Sequence, residues 1–189
     1  MNPELQNLSD IELLDFLKSE DKSISDAAFR EIYNKYASRV HSYCYKILKD
    51  RQKAEDIFQE TFIKFYNNVQ AERLMNGGLI GFIITIARNL CLNEKRNIQD
   101  IVSFNSVMYY QKSEIYNNFE DTKKYIQDAI NKLEFAYKEP LVLRLYDGME
   151  YSEIAEICGI SELNARKRVF RAKQKIKEYL KPIYIELFN

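Results

Sequence analysis

The residues that form tight turns are almost absent from this chain. Its 189 residues include only 5 Gly and 3 Pro, whereas hydrophobic residues account for 46% and charged residues for 30%. A sandwich, a barrel or a many-stranded sheet needs a turn after every strand, and Gly and Pro supply much of that turn chemistry. The hydrophobic content also argues against a disordered chain. The composition therefore predicts an all-α fold with a real core.

Apolar residues at helical spacing divide the chain into two helical groups. The first group comprises three long amphipathic segments, Asp26–Leu48, Lys53–Val69 and Leu79–Arg96. The second group runs from about Thr122 to the end of the chain, with breaks at Gly148 and Gly159.

Residues 98–121 separate the two groups. This segment is rich in Asn, Ser, Tyr and Gln, and it has no sustained period. It is also long for a connection inside one compact domain. We therefore predict two small helical domains, over residues 1–97 and 122–189, joined by a flexible linker over residues 98–121.

The sequence gives no sign of catalytic, metal or cofactor chemistry. Cys44, Cys91 and Cys158 are far apart and form no CxxC pair, and His41 is the single histidine. This pattern supports neither a disulfide framework nor a zinc site, and we expect the cysteines to be small core residues. No apolar run reaches the roughly 20 residues that span a bilayer, and the amino terminus is acidic rather than a basic leader. We therefore expect no membrane insertion and a cytoplasmic location.

Charge is balanced in total but uneven along the chain. There are 28 Lys and Arg against 28 Asp and Glu, which argues against a uniformly basic coating protein. Residues 1–31 carry 8 acids and 3 bases, whereas residues 166–181 carry 8 bases and only Glu178 as an acid. This layout predicts an anionic partner for the carboxy-terminal helix.

The carboxy-terminal group has the pattern of a helix-turn-helix. Tyr151–Cys158 forms a short helix, Gly159 permits a left-handed turn, and Ser161 is a good N-cap for a helix that ends near Leu180. An apolar stripe on this second helix comprises Ala165, Val169, Ala172, Ile176 and Leu180. Polar and basic residues face away from it: Asn164, Arg166, Lys167, Arg168, Arg171, Gln174 and Lys175. Acids that would pair with these bases are missing, which favours a DNA-reading helix, with Arg and Lys on phosphates and Asn164, Arg166 or Arg168 at base edges. A solvated basic face is the alternative.

The segment Lys53–Val69 has an acidic outer side. Its predicted buried stripe comprises Ala54, Ile57, Phe58, Thr61, Phe62, Phe65 and Val69. The outer side presents Asp56, Gln59, Glu60, Ile63 and Asn67. Asp56 and Glu60 are like charges one helical turn apart, so a compensating group is expected. An exposed Ile63 among carboxylates and amides suits a docking surface for a basic partner. A solvated face is one alternative. A carboxylate pair that acts in acid-base catalysis or as metal ligands is another, although the helix offers no histidine and no third ligand nearby.

The segment Leu79–Arg96 is basic on the outside where its neighbour is acidic. Its predicted buried side comprises Ile80, Ile83, Ile84, Ile86, Ala87, Leu90 and Cys91. Its other side carries Arg88, Asn89, Leu92, Lys95 and Arg96. This division suits a bundle that binds protein on one side and nucleic acid on the other, and an ordinary mixed surface is the alternative.

Three motifs, in this order, resemble the extracytoplasmic-function (ECF) sigma factors of the bacterial sigma-70 superfamily. AEDIFQETFIKFY at 54–66 is similar to that family's helix for the polymerase clamp, and IARNLCLNEKR at 86–96 to its helix for the minus-10 element. YSEIAEICGIS at 151–161, followed by NARKRVFRAKQKIK at 164–177, is similar to its minus-35 helix-turn-helix. In the family, Gly, Thr and Val are common where this chain has Leu163, Asn164 and Ala165.

The resemblance implies a role for each of these faces. Residues that would dock on the clamp of the largest subunit of core RNA polymerase are Asp56, Gln59, Glu60 and Ile63. Residues that would contact minus-10 DNA are Arg88, Asn89, Asn93, Lys95 and Arg96. Residues that would contact minus-35 DNA are Glu162, Asn164, Arg166, Lys167, Arg168 and Arg171. The loop at 72–78 would capture a flipped base, the linker would thread polymerase channels, and an anti-sigma factor is an implied partner.

The predicted function is that of a dissociable, non-catalytic sigma subunit that directs core polymerase to promoter DNA. It would need no cofactor. A stand-alone helix-turn-helix regulator is the first alternative, and it predicts stable binding to a two-fold symmetric operator without polymerase. A helical adaptor, or an enzyme that uses Asp56 and Glu60, is the second alternative, and it predicts no dependence on DNA.

Overall fold

The computed structural model describes residues 8–71, 78–102 and 119–188. Within these ranges the secondary structure is helical and no β-strand occurs, which confirms the predicted all-α fold. The chain divides into two compact units, Met1–Asp100 and Ile101–Asn189. None of the helices in the described ranges is long and apolar enough to cross a membrane.

The described part of the first unit contains four helices. They are α1 (Asp10–Leu17), α2 (Lys22–Leu48), α3 (Arg51–Gln70) and α4 (Leu79–Val102). Periodicity predicted α2, α3 and α4 but missed the short helix α1. A signal for α1 was present, because Ser9 and Glu12 have the spacing of a capping box. The Glu12 carboxylate accepts hydrogen bonds from the Ser9 hydroxyl and the Ser9 backbone N–H, both at 2.7 Å, which lowers the pKa of Glu12.

Polar contacts at both ends hold α1 against the rest of the unit. At its start, the Asp10 carboxylate accepts hydrogen bonds from the Tyr36 hydroxyl and from Lys35 Nζ, each at 2.7 Å. At its end, the Leu17 carbonyl accepts hydrogen bonds from Ser25 Oγ at 2.8 Å and from Gln70 Nε2 at 2.7 Å. These contacts satisfy carbonyl and carboxylate oxygens that the helix itself leaves open.

A two-residue connection joins α2 to α3. Lys49 ends α2 in a left-handed conformation with φ 62°, and its N–H donates to the Tyr45 carbonyl at 2.9 Å. The Asp50 side chain then caps α3 by accepting a hydrogen bond from the Lys53 N–H at 3.1 Å. Because the connection is so short, the two helices pack directly against each other.

The core of the first unit contains the predicted stripe of α3. The buried residues of α3 are Ala54, Ile57, Phe58, Thr61, Phe62, Phe65 and Val69, as predicted. The Thr61 hydroxyl donates to the Ile57 carbonyl at 2.7 Å, so its burial leaves no polar group unsatisfied. Phe65 meets Phe82 of α4 edge to face, with ring centres 5.9 Å apart. The predicted buried side of α4 is also confirmed, except that Ile80 is half-buried.

The described part of the second unit also contains four helices. They are α5 (Phe119–Lys132), α6 (Phe135–Leu145), α7 (Tyr151–Cys158) and α8 (Glu162–Phe188). Its core includes Ile130, Leu133, Leu141, Val169 and Ala172. Gly148 and Gly159 both have φ 65°, which confirms the two predicted breaks.

The helix-turn-helix forms where the sequence predicts it, but the predicted end of its second helix near Leu180 is wrong, because α8 continues to Phe188. Gly159 ends α7 in the left-handed conformation, and Ser161 Oγ accepts a hydrogen bond from the Asn164 N–H at 3.3 Å at the start of α8. The predicted stripe Ala165, Val169 and Ala172 is buried, and Ile176 is partly buried. All three cysteines are buried, which confirms their prediction as core residues.

The boundaries of the two domains stay a prediction. Helix α4 continues to Val102 and α5 begins at Phe119, so both helices extend into the segment predicted as linker. The remainder of that segment, residues 103–118, lies outside the described residues.

Two charged residues of α6 are buried, which the sequence analysis did not anticipate. Lys138 is 2% exposed and Glu139 is 3% exposed. Glu139 Oε2 accepts a hydrogen bond from the Cys158 thiol at 3.5 Å, and Lys138 Nζ donates to Asn131 Oδ1 at 3.5 Å. These contacts link α6 to α7 and to α5, so the buried charges help to hold the helices of this unit together.

The contacts of Asp10 predict its contribution to stability. An Asp10→Ala variant removes the acceptor of the buried Tyr36 hydroxyl, and we expect it to lower the free energy of unfolding by about 1–3 kcal/mol. Urea unfolding followed by circular dichroism measures this change, and hydrogen exchange of the α1 amides locates it. Lys35→Ala is the control, because it removes an exposed ion pair and a cation–π contact at 5.4 Å from the Tyr36 ring but keeps the acceptor of the Tyr36 hydroxyl, and it should cost less than about 1 kcal/mol. Unchanged α1 protection in Asp10→Ala would show that this carboxylate does not anchor the helix.

Candidate functional site

Four residues of α3 form one exposed surface, which we call the acidic face. It comprises Asp56, Gln59, Glu60 and Ile63, all of them exposed. Ile63 is 62% exposed, so the core does not require an apolar residue at this position. The buried stripe lies on the opposite side of the same helix, so the structure brings these four predicted residues together on one side.

One of the two acids of this face, Glu60, has a basic partner within α3. Lys64 Nζ pairs with Glu60 Oε1 at 2.9 Å, one turn further along the helix. Gln59 Nε2 donates to Glu55 Oε1 at 3.2 Å, and Glu55 Oε2 lies 3.2 Å from His41 Nε2 of α2. The sequence analysis expected a compensating group for the pair Asp56 and Glu60, and Lys64 supplies part of it.

An aromatic groove lies beside the acidic face, between α2 and α3. It encloses about 430 Å³ and is lined by Asp26, Phe29, Tyr33, Phe58, Gln59, Phe62, Ile63, Tyr66 and Asn67. The rings of Tyr33 and Phe62 lie 4.9 Å apart, and Phe29 meets Tyr66 edge to face at 5.6 Å. Gln59 and Ile63 belong to both the groove and the acidic face.

The sequence analysis missed this groove. A signal for it exists in the spacing, because Phe29 and Tyr33 are four residues apart on α2, and Phe58, Phe62 and Tyr66 are four apart on α3. Residues at this spacing share one side of a helix. Assigning Phe58 and Phe62 to the core was correct, but the pairing of the two aromatic rows depends on the register of α2 against α3.

The predicted minus-10 residues of α4 differ in their exposure. Asn89, Asn93 and Arg96 are exposed and share one side of the helix, whereas Arg88 and Lys95 are half-buried at its border. The five residues therefore do not form one uniform surface. The loop expected to capture a flipped base lies outside the described residues over 72–77, and α4 begins directly after Gly78.

An ion pair connects the start of α3 to this side of α4. Lys53 Nζ and Glu94 Oε1 are 2.7 Å apart, with 39% and 28% of their side chains exposed. The hydrogen bond to Glu94 raises the pKa of Lys53. The pair links α3 to α4 beside the predicted residues Asn93 and Lys95.

The predicted minus-35 residues lie together at the start of α8. Glu162, Asn164, Arg166, Lys167 and Arg171 are exposed, and Arg168 is half-buried. The buried stripe of Ala165, Val169 and Ala172 faces the unit's core, which directs these side chains outward. We call this surface the basic face of α8.

The assumption that the bases of α8 lack acidic partners is wrong. Glu162 Oε1 accepts hydrogen bonds from Arg166 Nη2 at 2.7 Å and from Arg166 Nε at 3.2 Å, which raises the pKa of Arg166. Lys175 Nζ lies 3.5 Å from Oε1 of Glu134, the N-cap residue of α6. The count of acids and bases in the sequence covered residues 166–181, so it omitted Glu162, which lies one turn before Arg166.

Tyr151 adds an aromatic contact to this surface. The guanidinium groups of Arg166 and Arg144 lie 4.9 Å and 4.8 Å from the centre of the Tyr151 ring. Arg144 also donates to the Met149 carbonyl at 2.7 Å and pairs with Glu150 at 3.2 Å, so it has a structural role. The Arg166 side chain is thus held in place by Glu162 and Tyr151, which reduces the entropy it would lose on binding a ligand.

The structure shows no arrangement that suggests metal chemistry in the part of the chain it describes. There, no group of three or more His, Cys, Asp or Glu side chains is placed to hold a metal ion. The exposed groups on α3, α4 and α8 are instead suited to binding macromolecules, by ion pairs, amide hydrogen bonds and apolar contact.

Two protein-family models match this chain, one in each unit. Sigma-70 region 2 matches residues 32–100, and sigma-70 region 4 matches residues 123–176. Together the two matches cover more than half of the 189 residues. The first match contains the acidic face and the predicted minus-10 residues, and the second contains the basic face of α8.

Known relatives agree with these matches. The ECF RNA polymerase sigma factor SigM of Bacillus subtilis is 25% identical over 151 residues, which are 78% of this chain and 91% of that protein. SigW of the same organism is 26% identical over 181 residues, which are 88% and 96% of the two chains. The sigma factor RpoE from Bartonella quintana, solved in complex with the anti-sigma factor NepR, shares the fold with a TM-score of 0.66. It is 24% identical and covers 81% of this chain and 96% of its own. The order of the two matched regions and these relatives show that the chain belongs to the sigma-70 family of RNA polymerase sigma factors, in its ECF group.

Proposed function

We propose that this sigma factor binds core RNA polymerase through the acidic face of α3 and promoter DNA through α4 and α8. It directs the polymerase to specific promoters, where transcription starts. The observation that carries the assignment of the faces is the exposure of Ile63 on the side of α3 that carries Asp56 and Glu60, next to an open aromatic groove.

The acidic face has the composition of a protein interface. A basic partner would pair with Asp56 and Glu60 while its apolar side chains cover Ile63 and enter the groove. Apolar groups at the centre with charges around them are typical of such interfaces. The resemblance of this helix to the clamp-binding helix of the family supports the clamp of the largest polymerase subunit as the partner of this face.

The exposed side of α4 supports contact with the minus-10 element. Asn89 and Asn93 offer amide groups that can bond to base edges, and Arg96 adds a positive charge for phosphate. Arg88 and Lys95, at the border of this side, would reach the sugar-phosphate backbone.

The basic face of α8 supports contact with the minus-35 element. In a helix-turn-helix, residues at the start of the second helix reach base edges in the major groove. Asn164, Arg166 and Arg168 are placed for such contacts, Lys167 and Arg171 for phosphates, and Glu162 for holding Arg166.

Neither DNA-binding face is large, and the chain has a formal net charge of zero. We therefore propose that DNA affinity arises when polymerase holds both units on one promoter, which raises the effective concentration of each unit for its element. The second unit would also contact the upstream-facing surfaces of polymerase. The protein would act in the cytoplasm, without catalytic activity of its own.

An anti-sigma factor is a further proposed partner. The related RpoE structure contains the anti-sigma factor NepR. A regulator of this kind would prevent transcription by covering the acidic face or the basic face of α8.

Co-purification with bacterial core RNA polymerase, followed by transcription from a promoter library, tests the proposed function. We expect stable association and new start sites that share two elements at a fixed spacing. Failure to associate with core, together with protection of a palindromic DNA site, would instead identify a stand-alone regulator.

Charge reversal on the acidic face should abolish polymerase binding. In Asp56→Lys/Glu60→Lys, two attractive ion pairs become repulsive, so we expect at least a 100-fold loss of affinity for core, an order of magnitude typical of interface charge pairs. Asp15→Lys/Glu20→Lys is the matched control, because it changes the net charge equally at exposed sites of the same unit. Fluorescence anisotropy of the labelled chain titrated with core measures both, and circular dichroism verifies folding. Equal losses in the two variants would contradict a local docking surface.

Removal of two arginines from α8 should eliminate recognition of the upstream element. We expect Arg166→Ala/Arg168→Ala to bind core normally but to lose its preference for the minus-35 sequence, because each base contact contributes about 1–3 kcal/mol. Lys173→Ala/Lys177→Ala is the control, since it removes the same charge from exposed positions further along α8. Competition between wild-type and scrambled minus-35 duplexes for the holoenzyme measures the preference. A preference retained by the arginine variant would show that another surface reads the element.

The proposed phosphate contacts predict a change in salt dependence. Arg171→Gln should lower DNA affinity similarly for all sequences and reduce the slope of log affinity against log salt concentration by about 1. Binding of holoenzyme to promoter duplex at several potassium chloride concentrations measures this slope. An unchanged slope would place Arg171 away from the DNA backbone.

A further inference from the structure

Leu163 is an apolar side chain in the first turn of the helix proposed to read DNA. It is 60% exposed, and its sequence neighbours Glu162 and Asn164 are exposed as well. The core of this unit takes Ala165 and Val169 from α8 and leaves Leu163 outside. Packing within the unit therefore does not explain a leucine at this position.

The position of Leu163 on α8 is well defined. Ser161 caps the helix through the Asn164 N–H, which fixes the first turn. Lys167 and Phe170 lie four and seven residues later, so they share the side of the helix that carries Leu163. Phe170 is 63% exposed. This side of α8 therefore presents two apolar side chains with the basic side chain of Lys167 between them, and it lies opposite the buried stripe.

A single exposed leucine is common on protein surfaces and needs no explanation by itself. Here, however, it occupies the part of a helix-turn-helix that reaches base edges in the major groove. The major-groove edges of the bases carry donors and acceptors, and the one apolar group among them is the 5-methyl group of thymine. A leucine cannot form a hydrogen bond with the other edge groups, so a thymine is the base that it complements.

We propose that Leu163 is a specificity-determining residue that contacts the 5-methyl group of a thymine in the upstream promoter element. This inference rests on the proposed function, because it requires α8 to read that element within the holoenzyme. Leu163 would add preference for one base, while Asn164 and Arg166 contact polar base edges beside it.

Replacement of thymidine by deoxyuridine tests the contact, because it removes the methyl group and leaves base pairing unchanged. Holoenzyme is formed from the full chain and bacterial core polymerase, and its promoter is taken from the library selection. Each thymidine of the upstream element, on either strand, is then replaced singly. Competition assays measure the affinity of wild type, Leu163→Ala, and the control Leu145→Ala, which truncates a leucine of α6 that is 52% exposed.

We expect one replacement to weaken wild type and Leu145→Ala by about fourfold, which corresponds to the burial of one methyl-sized group. The same replacement should change the affinity of Leu163→Ala by less than about twofold, because the apolar partner of the methyl group is missing. Alanine favours helix at this exposed position, so the variant should fold, and circular dichroism verifies this.

Three results would overturn the assignment of Leu163. They are an upstream element without thymine, a wild type insensitive to every replacement, and a Leu163→Ala variant that keeps the wild-type sensitivity. In each of these cases the holoenzyme still binds its promoter, so the proposed function stands. If the chain does not associate with core, the proposed function fails first and this inference fails with it.

Discussion

The packing of α3 against α2 determines where the functional surface of the first unit lies. Burial of a large apolar side chain contributes roughly 1.5–3 kcal/mol, and α3 buries Ile57, Phe58, Phe62 and Phe65 on one side. A rotation of the helix that hid Ile63 would expose several of these rings, so the core holds the acidic face outward. In α8, too, the buried residues determine which side of the helix is exposed, but these residues are smaller. There, the buried stripe Ala165, Val169 and Ala172 orients the basic face and lets the helix lie close to its neighbours.

Ion pairs then modify the charge of the surfaces that these helices expose. The chain as a whole is neutral, yet each face carries a local excess of one charge. Lys64 moderates the acidic face, and Glu162 and Glu134 moderate the bases of α8. Such exposed ion pairs add little to stability, but they set the direction in which long side chains point. Specificity in a sigma factor depends on this direction, because a DNA-reading arginine must arrive in the correct geometry for a bidentate contact.

Periodicity and turn chemistry in the sequence predicted much of this structure. The helices α2, α3, α4, α7 and α8 followed from apolar spacing, and Gly159 and Ser161 followed from their backbone preferences. Helix α1 was missed because its eight residues show little more than two turns of periodicity, and only its capping box marked it. Helix α7 is equally short, but the turn signals of Gly159 and Ser161 that follow it marked its end. The groove between α2 and α3 and the contacts of Arg166 with Tyr151 depend on register between helices, which one helical pattern does not contain. The burial of Lys138 and Glu139 could not be predicted from the sequence either, because charged residues are usually exposed.

The left-handed residue Lys49 has a consequence for how partners bind the groove. A non-glycine residue in this conformation costs roughly 1–2 kcal/mol, a strain that the packing of α2 and α3 must maintain. The two-residue connection limits separation of the helices at one end, and the ring contacts of Tyr33 with Phe62 and of Phe29 with Tyr66 hold them together at the groove. The aromatic groove therefore exists before any partner arrives. Binding to a preformed site needs no costly rearrangement, and related partners then differ mainly in how long they stay bound. Exchange of one groove partner for another would accordingly be governed by dissociation rates rather than by the speed of encounter.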